Sequence, residues 1–322
     1  MTQQRAAAPS ALDVTIRSLE PREVDTADRI MRLAFGTYLG VPDPLAVFGD
    51  KEFVRPRYAA EPGWAFAAEL DGEVVGSNFA VRWGSFGIVG PLTIHPDLWD
   101  RGIATRLMEP IIGLFEQWEL RQAALFTFPH SPKHIGLYQR FGFWPQYLTP
   151  LMGKPVTPAS ARDAESLSAL PASEVDAVLG QCGQLTDAIF AGLDVTHEIR
   201  ATANQRLGDT VLIRDGDGVS AFAVCHLGAG EAGSGTCFVK FGAVRPGANA
   251  SERFVQLLSE CEATAAGQGL ENVVAGVNTA RHDAYRTMLA RGYRTWLEGV
   301  VMQRPNEPGH CRPDVYVIDD LR

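Results

Sequence analysis

The sequence predicts an α+β fold with a mixed, mostly antiparallel sheet, flanking helices and two similar halves in tandem. Hairpin signals occur twice, at Asp71-Gly72 between the apolar runs 64–70 and 74–83, and at Asp215-Gly216 within 211–224. After each hairpin the same order of elements follows: a strand ending at a proline, an amphipathic helix, a buried strand and a short helix closing at glycine. A length of 322 residues also favours two domains.

Composition excludes several classes of protein. A formal net charge of −9 argues against nucleic acid or an anionic membrane as the partner. No run approaches the roughly 20 apolar residues of a membrane span, and residues 1–9 lack the apolar core of a signal peptide. The 5 cysteines are widely spread and form no C-x-x-C pair. We therefore expect free thiols, a cytoplasmic location and no metal site.

The first half divides into elements by its apolar spacing and its turn residues. The pattern predicts a strand at 14–17, a helix from Glu20 to Tyr38, a short helix over 50–60 and the two hairpin strands. The next strand, Phe86 to Ile94, contains Gly90-Pro91 in its middle. Because proline cannot donate to a strand ladder, we expect a bulge or an unpaired side there. A buried strand is predicted at 123–128.

The turn between residues 94 and 103 is the main candidate site. A strand ends at Ile94-His95-Pro96, and apolar residues at helical spacing begin at Ile103. Gly102 and Ala104 keep side chains away from the backbone of this turn. The first N–H groups of a helix have no intrahelical partner, and the helix dipole adds to their attraction for anions. The pattern therefore indicates a backbone site for an anion such as a phosphate.

A second motif follows the buried strand at 123–128. Ser131 is a favourable N-cap residue and Pro132 suits the first helical position, so a helix is predicted to begin there. Gly142 provides its left-handed stop. The helix carries the run Leu137-Tyr138-Gln139-Arg140-Phe141-Gly142-Phe143.

Together these motifs resemble the acyl-CoA site of the GNAT superfamily of N-acyltransferases. That family's signature is Gln/Arg-x-x-Gly-x-Gly/Ala after a strand ending in Val/Ile-x-Pro, and Gly102-x-Ala104 matches it behind Ile94-His95-Pro96. Trp99 stands where Gln or Arg is usual. Leu-Tyr-x-x-Phe-Gly-Phe is similar to the second GNAT motif, with Ser131 in place of a frequent Asn. The resemblance implies two GNAT-like domains and an acyltransferase that uses acetyl-CoA.

The resemblance also implies roles for individual residues. In the family the fourth strand splays from the fifth, and the pantetheine arm lies between them like an added strand. Lys133 and Arg101 are the candidates for the CoA phosphates. The residues implied in cofactor binding are Leu92, Thr93 and Ile94 for pantetheine, Trp99, Asp100, Arg101, Gly102, Ile103, Ala104 and Thr105 for the pyrophosphate, and Ser131 and Lys133 from the second motif.

Acyl transfer from a thioester to an amine requires a neutral amine, a stabilised oxyanion and a protonated leaving thiolate. A backbone N–H within 92–94 is the expected oxyanion donor. Tyr138 is the expected acid, since the family's tyrosine at this place protonates the CoA sulfur and a phenol carries its proton at neutral pH. The proton acceptor stays open because 86–94 contains no carboxylate. His130 is the first candidate, followed by His95, Glu69 and a water chain.

The second half repeats the element order with a changed turn. Counting from Pro246 as from Pro96, Glu252 falls opposite Gly102 and a bulky Phe254 opposite Ala104. Like charges at close range cost on the order of 1–4 kcal/mol near a surface. We therefore expect residues 1–154 to form the GNAT domain with the intact acyl-CoA motif, and 155–322 a degenerate one that helps to shape the acceptor site. The second motif is expected to recur there with Tyr285 as its tyrosine.

These observations favour an N-acetyltransferase that moves an acetyl group from acetyl-CoA to a primary amine through a ternary complex. The alternative is a non-catalytic acyl-CoA-binding or interaction protein with the same fold. A Rossmann or P-loop nucleotide enzyme is disfavoured, because no G-x-G-x-x-G or G-x-x-x-x-G-K-[ST] follows a strand. The sequence leaves open the acceptor, the acyl length and the oligomeric state.

Overall fold

The computed structural model of the protein describes residues 13–157 and 164–322. The elements of the first half are β1 (Thr15–Ser18), α1 (Val24–Leu39), α2 (Val54–Ala60), β2 (Ala65–Leu70), β3 (Glu73–Trp83), β4 (Phe86–Val89), β5 (Thr93–Ile94), α3 (Ile103–Gln117), β6 (Gln122–Thr127), α4 (Pro132–Gln139) and β7 (Trp144–Pro155). Those of the second half are β8 (Glu165–Ser166), α5 (Ala172–Ile189), α6 (Thr196–Asn204), β9 (Gly208–Asp215), β10 (Gly218–Leu227), β11 (Thr236–Val244), α7 (Ala250–Gly267), β12 (Asn272–Gly276), α8 (His282–Ala290), β13 (Arg294–Arg304) and β14 (Val317–Ile318). Pro155, Pro158 and the small residues up to Arg162 predict a linker, and most of it lies outside the described residues, as do residues 1–12.

The strands are ordered β1-β2-β3-β4-β6-β13-β7-β12-β11-β10-β9-β8, with β5 beside β3 and β14 beside β11. Neighbouring strands are antiparallel except for β4 with β6 and β11 with β12, which are parallel. The α+β fold class with a mixed, mostly antiparallel sheet is confirmed. Each half contributes the same run of strands in the same order, read inward from the two ends of the sheet.

The last long strand of each half pairs with strands of the other half. β7 follows α4 in the chain, yet it pairs with β12 and β13. β13 in turn pairs with β6 of the first half. The sequence division at residue 154 therefore stays a proposal, because each half completes its sheet with a strand from beyond that boundary.

Equivalent positions in the central strands of the two halves differ by 150 in residue number. Phe86 pairs with Gln122, and Thr236 pairs with Asn272 in the same parallel register. With this register Met288 is opposite Tyr138, whereas Tyr285 is opposite Ile135. The expected recurrence of the second motif at Tyr285 is wrong in that respect: the second half has no tyrosine at the position of Tyr138.

Several element boundaries differ from expectation for local reasons. The helix expected from Glu20 begins as a 3-10 turn over Pro21–Glu23 before α1, because proline suits only a first turn. The apolar spacing of the second half predicts two helices, near 172–181 and 185–193, but the structure has the single helix α5 over Ala172–Ile189. β7 and β13 were not predicted. β7 contains Pro145 and Pro150, which argue against a strand when the sequence is read alone.

The first-half sheet is covered on both faces. On one face Met108, Ile111 and Phe115 of α3 pack against Val89 and Leu125. On the opposite face a second cluster joins the halves, where Trp83, Phe86 and Ile88 meet α5 and the strands β9 and β10. The second half therefore covers one face of the strand that carries the candidate site. All five cysteines are buried free thiols, which confirms that expectation.

Candidate functional site

The strand that precedes the candidate turn is interrupted by a bulge. β4 pairs with both β3 and β6, but beyond Val89 only β3 continues as its partner, through β5. Between these two pairings the three residues 90–92 oppose the two residues 78 and 79. Gly90 has φ 123°, in a region that favours glycine, and its amide donates to the Phe79 carbonyl at 2.8 Å. The predicted bulge is confirmed. β5 pairs with β3 but not with β6, and we call the gap between β5 and β6 the cleft.

The edge of this cleft carries the main-chain groups of residues 92–94. The Leu92 amide has no acceptor among the described residues. Thr93 and Ile94 are buried and pair with Ser77 and Gly76 of β3. The Ile94 carbonyl also accepts the Trp99 indole N–H at 2.9 Å, so it is not a free acceptor. Of the three residues expected to meet pantetheine, Leu92 has the most available backbone.

The turn before α3 forms a concave set of amides. Asp100 and Gly102 both have left-handed backbone, with φ 63° and 78°. The amides of residues 100–104 have no acceptor in the described part of the chain. Ile103 is buried and fixes the helix start, whereas the Thr105 amide turns inward to the Gly102 carbonyl at 3.1 Å. Successive N–H groups at a helix N-terminus make an anion-binding concavity.

Lys133 brings a positive charge from α4 to this turn. Its ammonium lies 2.7 Å from the Asp100 carboxylate and 5.5 Å from the centroid of the Trp99 ring. Both groups of the ion pair are largely exposed, so the contact is worth little to stability. It does hold the ammonium beside the amide concavity. Arg101 is exposed on the same turn.

The second motif folds as predicted at its N-terminus. Ser131 is the N-cap of α4, and its buried hydroxyl accepts the His134 amide at 3.3 Å. Tyr138 lies near the end of this helix and packs against the cluster that holds Val89 and Leu125, as Leu92 does. Burial raises the pKa of the Tyr138 phenol, so the group stays protonated well above neutral pH. The structure therefore brings Leu92 and Tyr138 to one cluster at the cleft.

The candidate proton acceptors lie at different distances from this cleft. His130 is exposed just past β6, with its Nε2 atom 3.4 Å from the Tyr38 hydroxyl and its ring stacked on that tyrosine. His95 lies at the end of β5, 3.8 Å from Asp97. Glu69 belongs to β2 and is paired with Arg17 of β1, at the outer edge of the sheet. Glu69 therefore does not join the site.

In the second half the corresponding cleft is occupied by the chain itself. With the difference of 150, residues 242–244 correspond to 92–94. Gly242 and Ala243 pair with Ile318 and Val317 of β14, and the Val244 amide donates to the Tyr316 carbonyl at 3.1 Å. The C-terminal segment 316–318 thus lies along the backbone that, in the first half, is expected to receive pantetheine. The helix α7 also begins at Ala250, so Glu252 is in its first turn.

A buried charge cluster anchors this segment. Arg281, which corresponds to Ser131, donates to both carboxylate oxygens of Asp319 at 3.0 Å and to the Val317 carbonyl at 3.0 Å. His310 contacts the same carboxylate at 2.8 Å. Burial alone would raise the pKa of Asp319, but the charges of Arg281 and His310 outweigh it and hold the pKa at about 2.

Asp319→Asn is expected to lower the free energy of unfolding by about 3 kcal/mol or more, because it leaves a buried guanidinium without its counter-charge. In the unaltered protein the folded-state pKa lies below the ordinary value of 3.8. The contribution of Asp319 is therefore full above about pH 4 and is lost as the pH falls toward 2. Denaturant unfolding from pH 2.5 to 7 measures both effects. Asp314→Asn, at an exposed ion pair nearby, is the control and should change little.

Two charged residues beside the bulge gave no signal in the sequence. Arg57 of α2 is buried, and its guanidinium donates to the Gly90 carbonyl. Glu231, from the loop after β10, is buried against Arg57. No sequence pattern links the two, because 174 positions separate them.

Two negative findings concern only residues 13–157 and 164–322. Within those ranges no group of three or more His, Cys, Asp or Glu side chains is arranged to hold a metal ion. Their helices are all too short or too polar to cross a lipid bilayer.

The model of the Acetyltransferase (GNAT) family matches residues 31–143 of the chain. This range runs from α1 through α4 and includes both motifs. No curated protein sequence matches the chain.

Solved structures match nearly the whole chain at low sequence identity. A Pyrococcus horikoshii protein assigned to the acetyltransferases is 13% identical and covers 99% of this chain and 98% of its own, with a TM-score of 0.66. A GCN5-related N-acetyltransferase of Sphaerobacter thermophilus is 15% identical, covers 92% and 96%, and has a TM-score of 0.57. The N-myristoyltransferase of Saccharomyces cerevisiae, solved with myristoyl-CoA, is 10% identical, covers 98% and 90%, and has a TM-score of 0.63. These similarities show a shared fold over both halves. Residues 31–143 therefore form an acetyltransferase domain of the GNAT family, which indicates an acyltransferase.

Proposed function

We propose that the first half transfers an acetyl group from acetyl-CoA to a primary amine of an acceptor in a ternary complex. The observation that carries this proposal is the concave set of free amides at residues 100–104, beside an open cleft and the ammonium of Lys133. A diphosphate supplies the negative oxygens that such amides bind. The cleft between β5 and β6 then takes the pantetheine arm, whose end reaches the bulge at residues 90–92.

In this arrangement the acetyl carbonyl lies at the Leu92 amide. The amine nitrogen attacks the carbonyl carbon, and the Leu92 N–H stabilises the oxyanion that forms. When the carbon–sulfur bond breaks, Tyr138 donates its phenolic proton to the leaving thiolate. Because burial raises the pKa of Tyr138, the phenol carries its proton at neutral pH.

The proton released by the amine needs a separate path. His130 remains our first candidate for the acceptor, since it is exposed and follows the end of β6. The hydroxyl of Tyr38, 3.4 Å from its Nε2 atom, holds the ring in place. Because the side chain is exposed, the proton passes readily from there to solvent.

The direct test is the release of free CoA thiol when the full chain is incubated with acetyl-CoA and a panel of primary amines. We expect thiol release and an amide product, detected by mass spectrometry, with at least one amine. Tight binding of acetyl-CoA without release for any amine would contradict catalysis and favour a binding protein. Absence of binding would contradict the whole proposal.

We also propose that the second half binds no acyl-CoA. Its cleft backbone at residues 242–244 is paired with 316–318, and an acidic Glu252 stands in the first turn of α7. An acidic side chain repels a diphosphate at that position. The second half instead supports the first and shapes the side from which the acceptor enters.

Titration of the full chain with acetyl-CoA is therefore expected to give about one molecule bound per chain. Isothermal calorimetry measures the ratio, and a Gly102→Glu variant identifies the half involved. Two molecules of acetyl-CoA per chain, or one molecule that still binds to the Gly102→Glu variant, would show that the second half binds acyl-CoA.

A further inference from the structure

The bulge at residues 90–92 is held by a side chain that sequence reasoning did not single out. This residue is Arg57 of α2, whose side chain is only 6% exposed. The Arg57 guanidinium donates hydrogen bonds to the carbonyls of Gly90 and Arg322. Its Nε atom also donates to a Glu231 carboxylate oxygen at 3.3 Å. Arg57 therefore connects the bulge in the first half to two segments of the second half.

Glu231 makes the burial of this guanidinium possible. Its side chain is 1% exposed, and its carboxylate also accepts a hydrogen bond from the ammonium of Lys240 on β11. Burial alone would raise the pKa of Glu231, but the charges of Lys240 and Arg57 outweigh it and hold the pKa well below its ordinary value. Since a lone buried charge is strongly unfavourable, Glu231 and the two cations hold one another in place.

The peptide that Arg57 contacts is the one that needs an external support. Gly90 has left-handed backbone with little steric restriction, and only its amide is fixed by β3. Its carbonyl points to Arg57. Two residues later the Leu92 amide is the oxyanion donor of the proposed reaction. A shift of the Gly90 peptide would move that amide, and errors of about 1 Å in such a position cost about 100-fold in rate.

We propose that Arg57 and Glu231 are positioning residues, through which the second half holds the bulge of the first half in its catalytic shape. This inference rests on the proposed function of the first half. It assigns the second half a part in the reaction that requires no CoA of its own. The chain of contacts runs from Glu231 to Arg57, from Arg57 to the Gly90 carbonyl, and along the backbone to Leu92.

Arg55 provides a matched control on the same helix. It lies two positions before Arg57, is 57% exposed and pairs with Asp25 on the surface. Arg57→Gln is expected to lower kcat about 100-fold with little change in KM for acetyl-CoA, because the phosphate contacts are untouched. Glu231→Gln should act in the same direction. Arg57→Lys keeps the charge but not the planar fork of donors, and should restore only part of the rate. Arg55→Gln should leave both constants unchanged.

A binding measurement separates positioning from a general loss of structure and does not depend on turnover. The probes are CoA and the ketone analogue of acetyl-CoA in which a methylene replaces the thioester sulfur. The unaltered protein is expected to bind the ketone more tightly than CoA through the Leu92 amide. In Arg57→Gln and Glu231→Gln this preference should disappear, while the Kd for CoA stays within about twofold.

The outcomes distinguish the two proposals. If Arg57→Gln still binds the ketone more tightly than CoA, and its kcat equals that of the control Arg55→Gln, the positioning role is overturned. The proposed function is left intact by that result. No binding of CoA to the unaltered protein would overturn both. If thermal melting shows that Arg57→Gln does not fold, Arg57→Lys and Glu231→Gln decide the question with the same two probes.

Discussion

Gly102→Glu is expected to weaken acetyl-CoA binding by at least about 100-fold, equivalent to about 2.8 kcal/mol. Gly102 has φ 78°, a conformation that costs an L side chain about 1–2 kcal/mol. The new carboxylate would also stand at the amides that receive the diphosphate, where repulsion adds about 1–4 kcal/mol. Calorimetric titration of the full chain with acetyl-CoA measures the loss.

Two further substitutions separate the charge from the backbone strain. No heavy atom lies within 4 Å of a Cβ built at Gly102, so the side chain fits the fold without CoA. Gly102→Ala introduces the strain without the charge and should weaken binding much less. Gly113→Glu places the same charge farther along α3, also in open space, and should bind acetyl-CoA normally. Equal binding by Gly102→Glu and Gly113→Glu would rule out the diphosphate site at this turn.

Tyr138→Phe is expected to lower kcat by about 100-fold or more while the Kd for acetyl-CoA changes little. The phenylalanine ring keeps the packing on the cluster that holds Val89 and Leu125, so only the transferable proton is lost. Steady-state kinetics with a reactive amine, together with calorimetry, separate the two quantities. Tyr147→Phe, at an exposed tyrosine of β7, is the matched control and should retain full rate. An unchanged kcat in Tyr138→Phe would remove this residue as the acid.

The pH dependence adds a second check on Tyr138. Its pKa is raised by burial, and an acid acts while it is protonated, so this group causes no loss of rate between pH 6 and 10. The rate with a lysine-like amine should instead rise with pH as the amine loses its proton, since the pKa of a free lysine is about 10.4. A rate that decreases as the pH rises toward 9, with the decrease absent in Tyr138→Phe, would contradict the raised pKa.

The parts of the site that the sequence predicted depend on local chemistry. Pro91 required a break in the strand, and Gly102 and Ala104 marked a turn whose backbone is open at a helix start. Ser131 and Pro132 fixed the start of α4. Each of these conclusions concerns the backbone within a few residues, where steric limits and missing hydrogen-bond donors act directly. The fold class followed because the same local order occurs twice.

Tertiary structure alone decided how the halves are joined. β7 and β13 cross between the halves, although Pro145 and Pro150 make β7 look unlike a strand. The pairing of 316–318 with β11, which fills the second cleft, has no counterpart in local sequence. The contact of Arg57 with Glu231 joins positions 174 apart, and two buried charges are stable only when the fold brings them together. Local residues thus predicted the turn that we propose binds an anion, whereas the long-range packing of the two halves placed the contacts that we propose hold the reacting backbone.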